Sequence, residues 1–500
     1  MMNGASAHRV NGAHANDERA IAALRASFRG SILTPADEGY AASLARWASN
    51  TARPAALVAQ VACEEDVGLA LAHAHGAGLA IAVHGGGHGR ASSLAGGLVV
   101  SLRRHYGWVR VDPEKRVARC GGGSTWADVD AAAIAHGLAS VAGTVNHTGV
   151  VGLALGGGYG WLSGRHGLVV DNILEATVVT AGGAVLKANK DENSDLFWAM
   201  RGGGSNFGIL VLQLHPQHPT VYAGSLVYVR TSDMREKLGG ALDGWLKNAG
   251  EDEGVSFIFA QAPNGGPPVW VVVAFFNGSR EEGAQKFNAF LELEPVMNTL
   301  KERPYEELNA LHAATTAYGQ NYWYKGGVYD ESIFAPPSST NAGADLLSEM
   351  SAKHAALSVA ARKRGVGLSI ILDVVPLGQV VERKEGCFNC RGPQRNLVIS
   401  TSWAPADHSP ETEAYAGKLV REVYELWAAN IQTSEDSNSG YGNYADGELV
   451  FLCVGRDAAT ATEQATQMMF GKNYQRLQKI KAKYDPDMVF RQWFAIQPKA

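Results

Sequence analysis

The sequence predicts an α+β protein of more than one domain, and three features carry that expectation. The chain has 500 residues, too many for a single hydrophobic core of ordinary size. Short apolar runs suited to strands alternate with helical patterns along its length. Glycine is clustered in the first 215 residues and thins out beyond His215-Pro216. At 46% hydrophobic and 19% charged, the composition is globular rather than disordered. A net charge of −5 gives no reason to expect a nucleic-acid partner.

Taken in order, residues 1–16 read as a disordered polar tail. The first twenty residues lack the apolar stretch of a signal peptide. No run approaches the roughly 18 apolar residues of a membrane span. An intracellular, cytoplasmic protein is therefore expected, with the sequons at Asn146 and Asn277 arising by chance. Residues 21–28 suit a short helix. The stretch 54–61 suits a strand, 64–75 a helix and 78–83 a second strand, making a β-α-β unit. Strands are expected at 98–100 and 108–111, then a helix over 125–137 with Thr125 as N-cap. Residues 172–185 read as a hairpin, 196–200 as a helical turn and 208–212 as a strand. Beyond Pro216, strands such as 269–276 alternate with amphipathic helices such as 280–293. Five cysteines do not make a disulfide framework. The lone CxxC, Cys387 to Cys390, reads as two thiols in a loop, and no metal is expected.

The chemistry centres on AIAVHGGGHGR, residues 80–90. A buried strand runs into Gly85, Gly86, Gly87, His88 and Gly89. Glycines there let backbone N–H groups close around an anion, so the turn suits a phosphate or pyrophosphate, with His88 against the same ligand. A second cluster, Gly149, Gly152, Gly156, Gly157 and Gly158, suggests backbone wrapped about a flat ligand. Neither GxGxxG nor GxxxxGK[ST] occurs in these stretches, so a dinucleotide must be held by other turns.

Four ordered motifs carry a resemblance: the GGGHG turn, GVVGLALGGGYGWLSGRHGLVVDNI, DLFWAMRGGGSNFGI and YGNYAD. Together they resemble the berberine-bridge-enzyme-like flavoproteins of the vanillyl-alcohol-oxidase and p-cresol-methylhydroxylase superfamily. The resemblance runs from about Leu24 to Pro498 and is weakest between residues 216 and 440. It implies an FAD-binding domain over 1–215, a substrate domain over 216–454 with an antiparallel sheet covered by helices, and a segment over 455–500 that returns to the flavin domain. It implies FAD as cofactor, held by His84, the 85–89 turn, Val145, Thr148, the second glycine cluster, Gly208, Ile209 and Asn443.

The resemblance also implies a role for each reactive residue. Tyr444, the second tyrosine of YGNYAD, matches the family's catalytic base. A free phenol has a pKa of about 10, so a base near neutral pH would need it lowered. Strand alternation sets Tyr441 on the opposite face, unless a bend brings it into the site. Glu382 is a further candidate. His88 matches the histidine that bonds covalently to FAD, whereas Val145 stands where relatives carry a second, cysteinyl link. Thr148 stands at the family's small gate position beside the flavin. The expected activity is oxidation of an alcohol, on a sugar or a secondary metabolite, with electrons passed to O2 and release of H2O2. A dehydrogenase with another acceptor and a silent flavin-binding protein remain as alternatives. The expected partners are a small substrate and O2, in a monomer or homodimer.

Overall fold

The computed structural model describes residues 18–204, 209–262, 266–313, 315–335, 342–430, 440–444 and 458–499. The expected N-terminal tail and Gly208 lie outside them.

The chain opens with α1 (Glu18–Ser27), β1 (Ser31–Leu33), β2 (Leu57–Gln60), α2 (Glu64–Gly76), β3 (Ile81–His84) and β4 (Leu98–Ser101). These strands form a sheet in the order β1-β2-β4-β3. β2 and β3 both run parallel to β4, which sits between them. The expected β-α-β unit is therefore present, with a third strand inserted at its centre. β2, β3 and β4 are buried along their whole length, as their unbroken apolar runs require of parallel strands. Three acids in the first turn of α2 favour its N-terminus.

A second sheet follows from β5 (Val109–Asp112), β6 (Val117–Cys120), β7 (Ile173–Val179), β8 (Val185–Asn189) and β9 (Ile209–Gln213). Its order is β5-β6-β9-β7-β8, antiparallel throughout. The expected hairpin is β7 and β8, although β8 runs on to Asn189. Between β6 and β7 lie α3 (Trp126–Ile134) and α4 (Val150–Leu155). Thr125 caps α3 in a capping box with Asp128.

The third sheet contains β10 (Thr220–Val229), β11 (Glu253–Gln261), β12 (Pro268–Phe276), β13 (Met297–Asn298), β14 (Lys301–Pro304), β15 (Asn321–Tyr329), β16 (Val366–Val374) and β17 (Arg395–Trp403). Its path is β13-β10-β12-β11-β16-β17-β15, with β14 also on β10. The expected helix over 280–293 is broken into Arg280–Lys286 and Asn288–Leu291. Phe287 and Phe290 are both fully buried, and holding these two rings in the core turns the segment at Phe287.

Two long helices, Ala342–Arg362 and Pro410–Asn430, pack on the β15–β17 part of this sheet. Val366, Leu368, Ile370, Leu372 and Val374 of β16 are buried. The alternate residues Ile371 and Asp373 line a cavity instead, as the two-residue period of a strand dictates. At the C-terminus, Lys483 and Tyr484 both reach Asp195 at 2.8 Å, tying the last helix to residues 194–200. Among the described residues no helix is long and apolar enough to cross a membrane.

Candidate active site

The glycine turn after β3 meets the loop before α4 at backbone contact distance. A Cβ on Gly86 would lie 2.3 Å from the nitrogen of Gly149, and one on Gly85 would lie 2.6 Å from the carbonyl oxygen of Gly122. Gly87 has φ of 77°, which only glycine adopts without strain. These contacts explain the glycines as close packing of three loops. The loops form one wall of a cavity of about 550 Å³.

Gly85, Gly86, Gly87, His88, Gly89, Val145, Thr148, Gly149, Gly152 and Gly156 line that cavity, as do Tyr441, Asn443 and Tyr444. A further wall is a face of the large sheet: Tyr324, Ile371, Asp373, Val398 and Ser400. Residues from 491 to 495 close a further side.

Several expected residues fall elsewhere. His84 is buried beneath the turn, where Ser101 Oγ lies 3.3 Å from its Nδ1, and it does not line the cavity. Gly157 and Gly158 also lie off the wall; Cβ atoms there would strike Phe388 and Val169 respectively. Glu382 is exposed and bonds to Gln379 at 3.0 Å, far from being a cavity group. The side chain of Ile209 lies outside the described residues, as do Ala445 and Asp446 of the C-terminal motif.

The tyrosine motif is a 3-10 turn, Gly442–Tyr444, and not a strand. A turn of three residues places Tyr441 and Tyr444 on one side, with their rings edge to face at 4.8 Å. Tyr441 Oη accepts from Gly158 N at 3.0 Å and from Asn443 Nδ2 at 2.8 Å. Asn443 Nδ2 is also 3.0 Å from the Leu153 carbonyl, and a Cβ on Gly156 would strike its side chain. The motif is thus keyed into the second glycine cluster.

Tyr444 Oη donates to Asp373 Oδ2 at 3.1 Å. This pair corrects the expectation of a lowered phenol. Burial first, then the Asp373 charge, pushes the Tyr444 hydroxyl well above its usual range. Burial pushes the Asp373 carboxyl up to about 6, opposed by bonds from Tyr444 and Ser256. Asp373 escaped the sequence reading. Its one signal is an acid at an alternating position in the apolar strand VGLSIILDV.

His88 sits in an aromatic frame. Trp47 stacks on it at 4.8 Å with an interplanar angle of 5°. Burial, then the neighbouring His147, pushes its pKa down to about 3, so the ring is neutral. Val145 has no nucleophile, and the Cys120 thiol, fully buried on β6 and off the cavity, is pushed up to about 12 by burial. The four described cysteines are free and buried, and the described residues contain no cluster of three or more metal-ligating side chains.

His88, Tyr444 and Asp373 all line this glycine-walled cavity, and comparisons with known proteins identify the chain as an FAD-linked oxidoreductase. Residues 55–189 match the FAD binding domain family, and residues 440–496 match the berberine and berberine like family. The FAD-linked oxidoreductase pgmH of Aspergillus terreus is 28% identical over 98% of this chain and 98% of its own. The (R)-6-hydroxynicotine oxidase of Paenarthrobacter nicotinovorans is 28% identical over 95% of this chain and 98% of its own. Xylooligosaccharide oxidase from Myceliophthora thermophila has the same fold, with a TM-score of 0.76, 21% identity and coverage of 96% and 100%. The chain thus carries two domains that match those of the berberine-bridge-enzyme-like flavoproteins, and it is an FAD-linked oxidoreductase.

Proposed function

We propose that this protein oxidises a hydroxyl group on a small uncharged molecule with an apolar or aromatic body, passing hydride to FAD and electrons onward to O2 with release of H2O2. The observation that carries this reading is the Tyr444–Asp373 pair on the lining of the cavity that His88 also lines.

Bound FAD supplies the hydride acceptor. The 85–89 turn, with Val145, Thr148, Gly149, Gly152, Gly156 and Asn443, offers the glycine-lined wall that would hold it. Tyr444 Oη takes the substrate hydroxyl proton while its own proton moves to Asp373 Oδ2. The phenol therefore never needs to ionise alone, and its raised pKa is no obstacle. A carboxylate near 6 is the better proton sink close to neutral pH. Tyr441, held by its two donors, packs against Tyr444 and orients it.

The sheet face argues for the substrate class. Tyr324, Ile371, Val398 and Ser400 carry no charge, and Asp373 disfavours a carboxylate there. The arginines that line the cavity, Arg90 and Arg491, come from the glycine turn and the C-terminal segment. A secondary-metabolite hydroxyl fits this wall better than an oligosaccharide, which needs many polar partners.

The same proposal includes a single covalent link from His88 to the flavin, since neither Val145 nor Cys120 offers a second nucleophile. It includes the domain division at 215 and 454: the four- and five-stranded sheets end by Gln213, a two-stranded ladder pairs His215 and Pro216 with Ala139 and Leu138, and the large sheet lies between Thr220 and Trp403. It also includes residence inside the cell. Anaerobic mixing with aromatic and aliphatic alcohols, sugars and amines tests it. Bleaching of the flavin by an aromatic or aliphatic alcohol, followed by rapid return of colour with O2, is the expected result. Bleaching by sugars alone would refute the substrate class, and slow reoxidation would refute the oxidase.

A further inference from the structure

His147 does not line the cavity, yet it holds the one ring nitrogen of His88 that the structure pairs. His88 Nε2 lies 2.7 Å from His147 Nδ1, and His147 Nε2 lies 3.0 Å from the carbonyl oxygen of Thr316. A carbonyl oxygen only accepts, so His147 Nε2 carries a hydrogen and donates it. Burial lowers the pKa of His147, which leaves the ring neutral and its Nδ1 bare. His88 must then be the donor, with its hydrogen on Nε2. The neutral His88 ring keeps a single lone pair, on Nδ1. Thr148 Oγ1, 3.3 Å from the same Nε2, is a longer second partner.

The rings are also fixed in orientation. Trp47 lies parallel to His88 and stacks on its face, while His147 lies edge to edge with it, nearly coplanar at 24° with centroids 4.9 Å apart, as the in-plane hydrogen bond requires. Tyr318 meets His147 edge-on at 5.7 Å.

We propose that His147 is the positioning residue for covalent flavin attachment: it fixes the His88 tautomer that leaves Nδ1 nucleophilic, and it takes up the charge that bond formation creates. This rests on the reading above that His88 is the attachment point. In the step, His88 Nδ1 bonds to the 8α carbon of the flavin. One C–H bond at that carbon breaks; its proton goes to water and its electron pair reduces the ring system. The imidazole becomes cationic, and its Nε2 proton shifts toward His147 Nδ1. Dioxygen is the oxidant: it takes the two electrons and two protons and leaves as H2O2. The partner of an imidazole sets which nitrogen reacts and how basic it is, the role that outer-shell groups play for metal-bound histidines.

The test follows attachment and not turnover. Full-length protein made in a riboflavin-starved host is mixed with FAD in air, and acid-precipitable flavin is measured against time. Visible absorbance before acid reports FAD that is bound but not attached. His147→Phe keeps the ring packing and removes the acceptor; His147→Asn returns an acceptor oxygen near the Nδ1 position. The expected result is FAD uptake by all three proteins, attachment slowed about 10²-fold in His147→Phe, and recovery of most of the rate in His147→Asn. Attachment at the wild-type rate in His147→Phe, or equal slowing in both variants, would overturn the role of His147. Should His147→Phe fail to take up FAD, the wild-type linkage decides: flavin on Nδ1 of the isolated histidyl peptide supports the proposal, and flavin on Nε2 overturns it. No acid-stable flavin in the wild-type protein removes the proposal together with the attachment reading, while the Tyr444–Asp373 chemistry stands on its own assay.

Discussion

Replacing Asp373 with asparagine tests the proton path directly. The carboxylate is the acceptor for Tyr444 Oη at 3.1 Å, and its other protein donor is Ser256 Oγ at 3.4 Å. Asparagine keeps the size and still offers an oxygen, but it cannot take a proton. Loss of a positioned base typically costs 10²–10⁴ in rate, which is roughly 3–5 kcal/mol on the barrier. Anaerobic stopped-flow reduction of the flavin should slow by that factor, with the flavin spectrum unchanged. The wild-type rate should rise with pH through about 6, where Asp373 ionises, and this limb should vanish in Asp373→Asn. The stability change has the opposite sense. The folded pKa of Asp373 lies above its unfolded value near 3.8, so the native state binds the extra proton. Stability from this group is full below pH 4 and is lost as pH rises through 6. Asp373→Asn should therefore raise the melting temperature above pH 6 and lose that advantage in acid. A near-normal reduction rate with the pH limb intact would refute the relay.

Tyr444→Phe should slow reduction by a similar factor, and the double variant Tyr444→Phe/Asp373→Asn should be little worse than either alone, because both remove one path; additive losses in stopped flow would argue for separate roles. His88→Ala should still bind FAD but release it on acid precipitation, and flavin retained in the pellet would show another attachment point. Gly86→Ala sets a methyl group 2.3 Å from backbone that no rotamer can clear; thermal scanning should show a loss of at least about 1–3 kcal/mol, with a lower flavin-to-protein ratio. Both sequon asparagines are only partly exposed, and Asn277 Oδ1 accepts from Gln217 Nε2 at 2.6 Å. Mass spectrometry of the natural protein should find both unglycosylated.

The sequence by itself determined most strands and helices of the first 215 residues, though not β1, β6 or α4, together with the position of the glycine turn and the candidacy of His88, Thr148 and Tyr444. Those signals are local: an apolar run entering glycines, a capping Thr125, a short motif around a tyrosine. Local signals are legible because one stretch of chain satisfies them. The tertiary structure alone decided what those residues meet. Strand periodicity set Tyr441 opposite Tyr444, but a 3-10 turn locked by Asn443 and Gly158 brings both to the cavity. Glycine count could not separate Gly149, where an added Cβ would lie 2.6 Å from Gly86 N, from Gly157 and Gly158, whose added Cβ atoms would meet Phe388 and Val169 instead. Asp373 reaches Tyr444 across 71 residues of chain, and His147 gains its role from the Thr316 carbonyl, 169 residues away. Proton transfer depends on distances near 3 Å, and distances between remote segments exist only once the sheet and the two glycine loops have packed against each other.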